Sequence, residues 1–199
     1  MTGDSGSRQS ATIVVAEDEA VIRMDLVEQL REIGYDVVGQ CGDGASAVRL
    51  CTELDPDLVL LDISMPEMDG LAAARQIADR GRTAVVMLTA YSQRELVEQA
   101  VAAGAMTYLV KPWSPSELLP ALELARGRFA EMRTLADRVG ELSHSLAARK
   151  TIERAKSRLV AAYGLTEDDA FRWLQKAAMD RRTTMLAVAE AVLNSGEGA

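Results

Sequence analysis

The first half of this chain alternates short apolar runs with longer segments of helical periodicity, and this alternation restricts the folds open to it. The runs are rich in β-branched residues and predict five strands, at residues 12–16, 36–40, 58–61, 84–88 and 107–110. Helical patterns lie between them, near residues 20–33, 45–54, 71–79 and 92–102. Strands that are apolar along their whole length need helices on both faces. The sequence therefore predicts an α/β fold, a doubly wound five-stranded parallel sheet with strand order 2-1-3-4-5.

The second half contains no further strand-like run. A long helical pattern begins at Ser116 and continues past Arg149. It contains five apolar residues at alternating spacings of three and four: Met132, Leu135, Val139, Leu142 and Leu146. Such a seam suits a partner helix in a coiled coil, although it covers only about two heptads. A long amphipathic helix that packs within its own chain explains the spacing equally well.

Two shorter helices are predicted at the end of the chain, at residues 167–179 and 185–193. Gly164 suits a left-handed position after the long helix, and Thr166 suits the N-cap of the next. The stripes expected to face a small core are Ile152, Ala155, Leu159 and Ala162, and then Phe171, Leu174 and Ala178. We therefore predict a first domain over residues 11–126, a helical linker over 127–148 and an all-helical domain over 149–194.

The charge of the chain is distributed unevenly. The formal net charge is −8 over 199 residues, yet residues 1–126 carry a net −10 and residues 127–199 a net +2. Between Arg149 and Arg182, nine basic residues stand against five acidic ones. Such asymmetry predicts a second module with a different partner from the first.

Composition argues against several classes of protein. The two cysteines, Cys41 and Cys51, form no CxxC pair, which argues against a disulfide framework and against a zinc site. The first ten residues lack the apolar stretch of a signal peptide. Apolar runs such as residues 84–88 are far shorter than the roughly 20 residues that span a bilayer. We expect a cytoplasmic protein that makes no membrane contact.

Polar or charged residues follow four of the five predicted strands: Glu17 and Asp18, then Asp62, Thr89 and Lys111. The carboxyl ends of parallel strands share one edge of the sheet, where α/β proteins bind ligands. Three converging carboxylates would repel one another without a cation, and hard oxygen ligands suit Mg²⁺. Lys111 can supply a point charge to a phosphoryl oxygen and Thr89 a hydrogen bond. Asp62, held against the metal, is positioned as a nucleophile that could form an acyl phosphate.

These residues stand in motifs that resemble the receiver domain of two-component response regulators, a flavodoxin-like (CheY-like) fold. The motifs are Asp18, Leu-Leu-Asp-Ile-Ser-Met-Pro-Glu-Met-Asp-Gly at 60–70, Met-Leu-Thr-Ala at 87–90 and Lys-Pro at 111–112, in the family's order. The resemblance implies Asp62 as phosphoacceptor, with Mg²⁺ bound by Asp18, Asp62 and the main-chain carbonyl of Ser64, and Glu17 acting through water. It also implies Thr89 and Tyr108 as a switch pair and a cis bond before Pro112. Many members have Asp where this chain has Glu17, but the carboxylate is kept.

The second module resembles the ANTAR domain, a three-helix RNA-binding module that acts in antitermination. The resemblance lies in residues 149–159, in residues 170–182 and in Val-Ala-Glu at 188–190. It implies RNA hairpins as partners, with basic side chains on the phosphates. The candidate RNA-binding residues are Arg154, Lys156, Arg158, Arg172, Trp173, Lys176, Arg181 and Arg182. We expect Arg154, Lys156 and Arg158 to point outward, whereas Trp173 is either a core residue or a platform on which an unpaired base stacks.

Together the two resemblances imply a response regulator that a sensor histidine kinase phosphorylates. It would bind RNA stem-loops as a transcription antiterminator or post-transcriptional regulator, form a homodimer on activation, and catalyse at most its own slow dephosphorylation. The chain shows no DNA-binding motif. Two alternatives stay open: an output that binds only protein, and a phosphatase with an aspartyl-phosphate intermediate. Such phosphatases usually carry a second acid where this chain has Ser64.

Overall fold

A computed structural model describes residues 10–90 and 94–195 of the chain. It divides into two compact units, and the division falls between Arg133 and Thr134, inside a long helix. The predicted start of the fourth helix at residue 92 lies outside the described residues. None of the helices in the described ranges is both long and apolar enough to cross a lipid bilayer.

The first unit contains a five-stranded parallel sheet with the order β2-β1-β3-β4-β5, which confirms the predicted fold. Its strands are β1 (Thr12–Ala16), β2 (Asp36–Cys41), β3 (Leu58–Asp62), β4 (Ala84–Thr89) and β5 (Thr107–Val110). Its helices are α1 (Ala20–Glu32), α2 (Gly44–Leu54), α3 (Gly70–Asp79), α4 (Arg94–Ala102) and the first part of α5 (Pro115–Tyr163). The central strands β3 and β4 are buried along their whole length, as expected for a sheet covered on both faces.

The two faces of the sheet carry separate hydrophobic clusters. One face packs on α1 and α5, with Leu30 and Leu122 fully buried. The other packs on α2, α3 and α4, with Ala47 and Ile77 buried. Helices α2 and α3 begin directly after aspartates, Asp43 and Asp69, whose carboxylates accept hydrogen bonds from helix amides. These caps set where the chain leaves the sheet edge and turns back over it.

The second unit contains the latter part of α5, α6 (Glu167–Asp180) and α7 (Met185–Asn194). Thr166 and Thr184 cap the two short helices through their side-chain oxygens. The small core is built around Ala155, Leu159, Ala170, Leu174, Ala178, Val188 and Ala189.

Two residues predicted for this core are exposed instead. Phe171 is 41% exposed. The buried stripe of α6 consists of Ala170, Leu174 and Ala178, and Phe171, one residue after Ala170, points about 100° away from it around the helix. Ala162 is exposed because it lies in the last turn of α5, beyond the residues of α5 that contact the core. The predicted stripes were therefore wrong at their margins.

The apolar seam of α5 faces solvent. Met132 is 42% exposed, and the other four seam residues, Leu135, Val139, Leu142 and Leu146, are between 59% and 64% exposed. Within the described residues, neither unit buries the seam residues that it contains. An unpartnered seam of this kind is typical of a coiled-coil helix.

Candidate functional site

Three carboxylates converge at the carboxyl edge of the sheet. Asp62 is the last residue of β3, while Glu17 and Asp18 follow β1 directly. One oxygen from each carboxylate lies within 4.8 Å of the others, so the group could hold a metal ion. Glu17 and Asp62 are buried and Asp18 is exposed, which leaves the cluster open to solvent on one side.

Lys111 is the cation of this cluster. Its Nζ lies 2.6 Å from Glu17 Oε2 and 3.0 Å from Asp62 Oδ1. Burial raises the pKa of both Glu17 and Asp62, and the Lys111 ammonium offsets only part of that rise. Burial also lowers the pKa of Lys111, but its contacts with the two carboxylates outweigh that effect, so the pKa is raised.

The donor set fits a divalent cation with oxygen ligands. One ammonium faces three carboxylates, so the cluster keeps an excess of negative charge. Glu17 Oε2 is buried and forms an ion pair with Lys111 Nζ at 2.6 Å. Apart from that ammonium, it has no hydrogen-bond donor in the described part of the chain. Clusters of this composition suit Mg²⁺, which takes one or two carboxylates and keeps several waters.

The other predicted site residues lie around this cluster at different depths. Thr89 ends β4 and is buried, and its carbonyl oxygen accepts a 2.7 Å hydrogen bond from the amide of Lys111. Ser64 is exposed in the loop after β3. Tyr108 lies in β5 and is 42% exposed. The peptide bond between Lys111 and Pro112 is cis, as the resemblance implied.

Sequence reasoning assigned no role to Gly70, which supports the backbone of Asp62. A Cβ atom added at Gly70 would lie 1.9 Å from the carbonyl oxygen of Asp62, far inside van der Waals contact. The amide of Gly70 also donates a 2.9 Å hydrogen bond to the carbonyl of Ile63. Only glycine therefore allows α3 to start this close to the end of β3. The Asp-Gly pair before a helical pattern was the signal that could have identified it.

Some of the basic residues predicted to bind RNA instead contact other residues of the second unit. Arg158 donates a 2.8 Å hydrogen bond to the carbonyl of Leu193 near the end of α7. Lys156 has a side chain only 12% exposed, and it pairs with Glu153 at 2.9 Å and with Glu167 at 3.5 Å. The expectation that both point outward was wrong. Arg158 supplies a donor to a carbonyl left free at the end of α7, and Lys156 supplies a cation to the acidic start of α6.

The remaining candidates are exposed. Side chains with no ion pair or hydrogen bond in the described ranges are Arg154, Lys176, Arg181 and Arg182, whereas Arg172 lies 3.4 Å from Asp169. Trp173 is 45% exposed, so the interpretation of it as a core residue was wrong. The exposed part of this unit therefore offers cations and an aromatic ring at its surface.

Comparison with known proteins assigns both halves of the chain. A model of the response regulator receiver domain matches residues 13–123. The chain belongs to the response regulator family. A model of the ANTAR domain matches residues 140–193, so this response regulator carries a receiver domain followed by an ANTAR domain.

Similar proteins extend this assignment. This response regulator is 54% identical to the transcriptional regulatory protein PdtaR of Mycobacterium tuberculosis over 198 residues, 98% of this chain and 97% of that protein. The response regulator domain of Thermotoga maritima CheB superposes with a TM-score of 0.56 at 28% identity, covering 60% of this chain and 98% of that one. A CheX–CheY–BeF3–Mg²⁺ complex from Borrelia burgdorferi gives a TM-score of 0.54 at 26% identity, covering 56% of this chain and 86% of that one.

Proposed function

We propose that this response regulator accepts a phosphoryl group on Asp62 from a sensor histidine kinase. Bound Mg²⁺ would be held by Asp18, Asp62 and the main-chain carbonyl of Ser64, with Glu17 acting through water, and would neutralise charge on the phosphoryl oxygens. The observation that carries this proposal is the convergence of Asp62, two further carboxylates and the Lys111 ammonium at one sheet edge. The similar CheY complex from Borrelia burgdorferi contains Mg²⁺, which supports the same choice of metal.

The chain's own residues perform distinct tasks in this transfer. An oxygen of the Asp62 carboxylate forms a bond to phosphorus while the bond between phosphorus and the donor's imidazole nitrogen breaks. The electron pair of the broken bond stays on the imidazole. Lys111 and the Thr89 hydroxyl then bind phosphoryl oxygens. This contact would draw Thr89 toward the phosphoryl group, and Tyr108 would move into the space that Thr89 leaves.

Phosphate incorporation from acetyl phosphate tests the phosphoacceptor proposal. The full-length chain should become labelled only when Mg²⁺ is supplied, and chelation of the metal should stop labelling because the carboxylates would repel the incoming phosphoryl group. Hydroxylamine should release the label, as expected for an acyl phosphate. Mass spectrometry of the intact protein measures both. Labelling that resists hydroxylamine, or proceeds equally without Mg²⁺, would contradict the proposal.

For the output we propose that the ANTAR domain binds RNA hairpins and so acts as an antiterminator or post-transcriptional regulator. The exposed cations Arg154, Lys176, Arg181 and Arg182 would contact phosphates, and Trp173 would stack on an unpaired loop base. Arg172 could join them by leaving its exposed pair with Asp169, since such pairs are weak. Lys156 and Arg158 hold internal contacts, so we propose for them at most a minor share in RNA binding.

We further propose that the exposed seam of α5 pairs with the same seam of a second copy when Asp62 is phosphorylated. Sedimentation equilibrium of the acetyl phosphate-treated chain should show a shift toward dimer. Leu142→Glu should abolish the shift because it places a charge within the apolar seam. Met179→Glu, the same change at a residue 72% exposed on α6, should leave it intact. Equal dimerisation of the Leu142 variant would rule out the seam.

A further inference from the structure

Arg23 is a half-buried cation on α1 that lies beside the carboxylate cluster without belonging to it. Its Nη1 donates to the carbonyl oxygen of Glu17 and lies 3.5 Å from the carbonyl oxygen of Asp18. The guanidinium forms no ion pair within the described residues. A charged side chain held this way is bound to the main chain of the two residues that carry the metal-ligand carboxylates.

The guanidinium also lies between two loops of the site. A Cβ atom added at Gly42, in the loop after β2, would be 3.5 Å from Arg23 Nη1 and 3.7 Å from the Cα of Asp18. These are ordinary van der Waals distances, so residue 42 lies directly beside both the guanidinium and the loop of residues 17–19. Both loops are at the carboxyl edge of the sheet, where the cluster lies.

Main-chain hydrogen bonds fix the two ends of the loop between β1 and α1: the amide of Glu17 donates to the carbonyl of Cys41 at 3.1 Å, and the amide of Arg23 donates to the carbonyl of Glu19 at 2.9 Å. Glu19 occupies the N-cap of α1, but its side chain makes no capping hydrogen bond. The amide of Glu19 instead donates a long 3.3 Å hydrogen bond to Glu17 Oε1. The hydrogen bonds from Arg23 are therefore the side-chain contacts that hold the carbonyls of Glu17 and Asp18. Holding these carbonyls restricts the backbone of both residues, and so the directions in which their carboxylates point.

We propose that Arg23 is a positioning residue for the metal site, holding this loop so that Glu17 and Asp18 face Asp62. The inference rests on the proposed function only in taking Mg²⁺ as the ion. A positioning role and simple electrostatics predict opposite changes in Mg²⁺ affinity when Arg23 is replaced. A cation near a metal site repels Mg²⁺, so loss of the Arg23 charge alone would strengthen Mg²⁺ binding. Loss of a positioning contact should weaken it.

Isothermal titration calorimetry of the unphosphorylated full-length chain with Mg²⁺ distinguishes these two expectations. Arg23→Gln should raise the Kd for Mg²⁺ about 10-fold, the lower end of the range typical of residues that orient metal ligands. Arg23→Lys, which keeps the charge and part of the donor capacity, should fall between Arg23→Gln and wild type. Arg31→Gln serves as the matched control because Arg31 is exposed at the other end of α1; its Kd should equal that of wild type.

Two further readouts distinguish positioning from a general structural role. At saturating Mg²⁺ the Arg23→Gln chain should be labelled by acetyl phosphate at nearly the wild-type rate, because Asp62 and Lys111 are unchanged. Thermal unfolding in chelator should show whether a variant is folded. A lowered melting temperature with an unaltered Kd in both Arg23 variants, or tighter binding in Arg23→Gln, would overturn the inference alone. Absence of Mg²⁺ binding by wild type would overturn the proposed function and the inference together.

Discussion

Asp62→Asn should eliminate phosphate incorporation from acetyl phosphate, leaving only the background seen with wild type incubated without acetyl phosphate. Asparagine keeps the size of the side chain but replaces the nucleophilic carboxylate oxygen with an amide that cannot form an acyl phosphate. Asp62 ends β3 beside the Lys111 ammonium, 3.0 Å away, which is where the proposed function places the incoming phosphoryl group. Intact-mass measurement after a fixed incubation with Mg²⁺ gives the labelled fraction.

Asp79→Asn is the matched control for this substitution. Asp79 ends α3, and its side chain makes no hydrogen bond or ion pair in the described part of the chain. The control removes the same charge and should be labelled like wild type. Labelling that survives in Asp62→Asn would show that another residue is the phosphoacceptor.

Lys111→Met should lower the free energy of unfolding of the receiver domain by about 3 kcal/mol at neutral pH without Mg²⁺, the scale on which loss of one partner destabilises a buried ion pair. The substitution keeps much of the side-chain volume but leaves Glu17 and Asp62 buried with no cation between them. Mg²⁺ should restore part of the loss because it replaces the missing charge. Lys176→Met, at an exposed position on α6, should be nearly neutral.

The same variant has a defined pH dependence. Burial raises the pKa of Glu17 and Asp62 in the folded chain, and loss of Lys111 removes the main influence that lowers them. A carboxyl group whose pKa is higher in the folded than in the unfolded state costs stability above its folded pKa, and that cost disappears as the pH falls below it. The deficit of Lys111→Met relative to wild type should therefore shrink on acidification. Denaturant titrations at several pH values measure it, and a deficit independent of pH would contradict the account.

The fold and the carboxylate cluster were predictable because both follow from patterns along the sequence. Strand ends can be found from where apolar runs stop, and parallel strands bring those ends to one edge, so Asp62 and Lys111 could be placed together without coordinates. Contacts that depend on loop geometry could not be found this way. Arg23 reaches Glu17 and Asp18 through the turn before α1, and no spacing rule encodes that turn.

The surface of the ANTAR domain was predicted less well than its helices. Periodicity gives the buried stripe of a helix to within about one residue on each side, which is why Phe171 was misplaced. It also treats every basic residue off the stripe as solvated. Arg158 instead donates to the carbonyl of Leu193, which is distant in sequence, and Lys156 pairs with Glu153 one turn away and with Glu167 at the start of α6.

Binding of RNA by the full-length chain, before and after phosphorylation, tests the central claim most directly. The probes are a hairpin RNA with an unpaired loop and poly-A of equal length at one fixed salt concentration, since phosphate contacts make affinity depend on salt. Phosphorylated wild type should bind the hairpin more tightly than poly-A, and more tightly than it does before phosphorylation. Asp62→Asn treated with acetyl phosphate in the same way should show no increase in affinity for the hairpin. No preference for the hairpin over poly-A, with or without phosphorylation, would contradict the account.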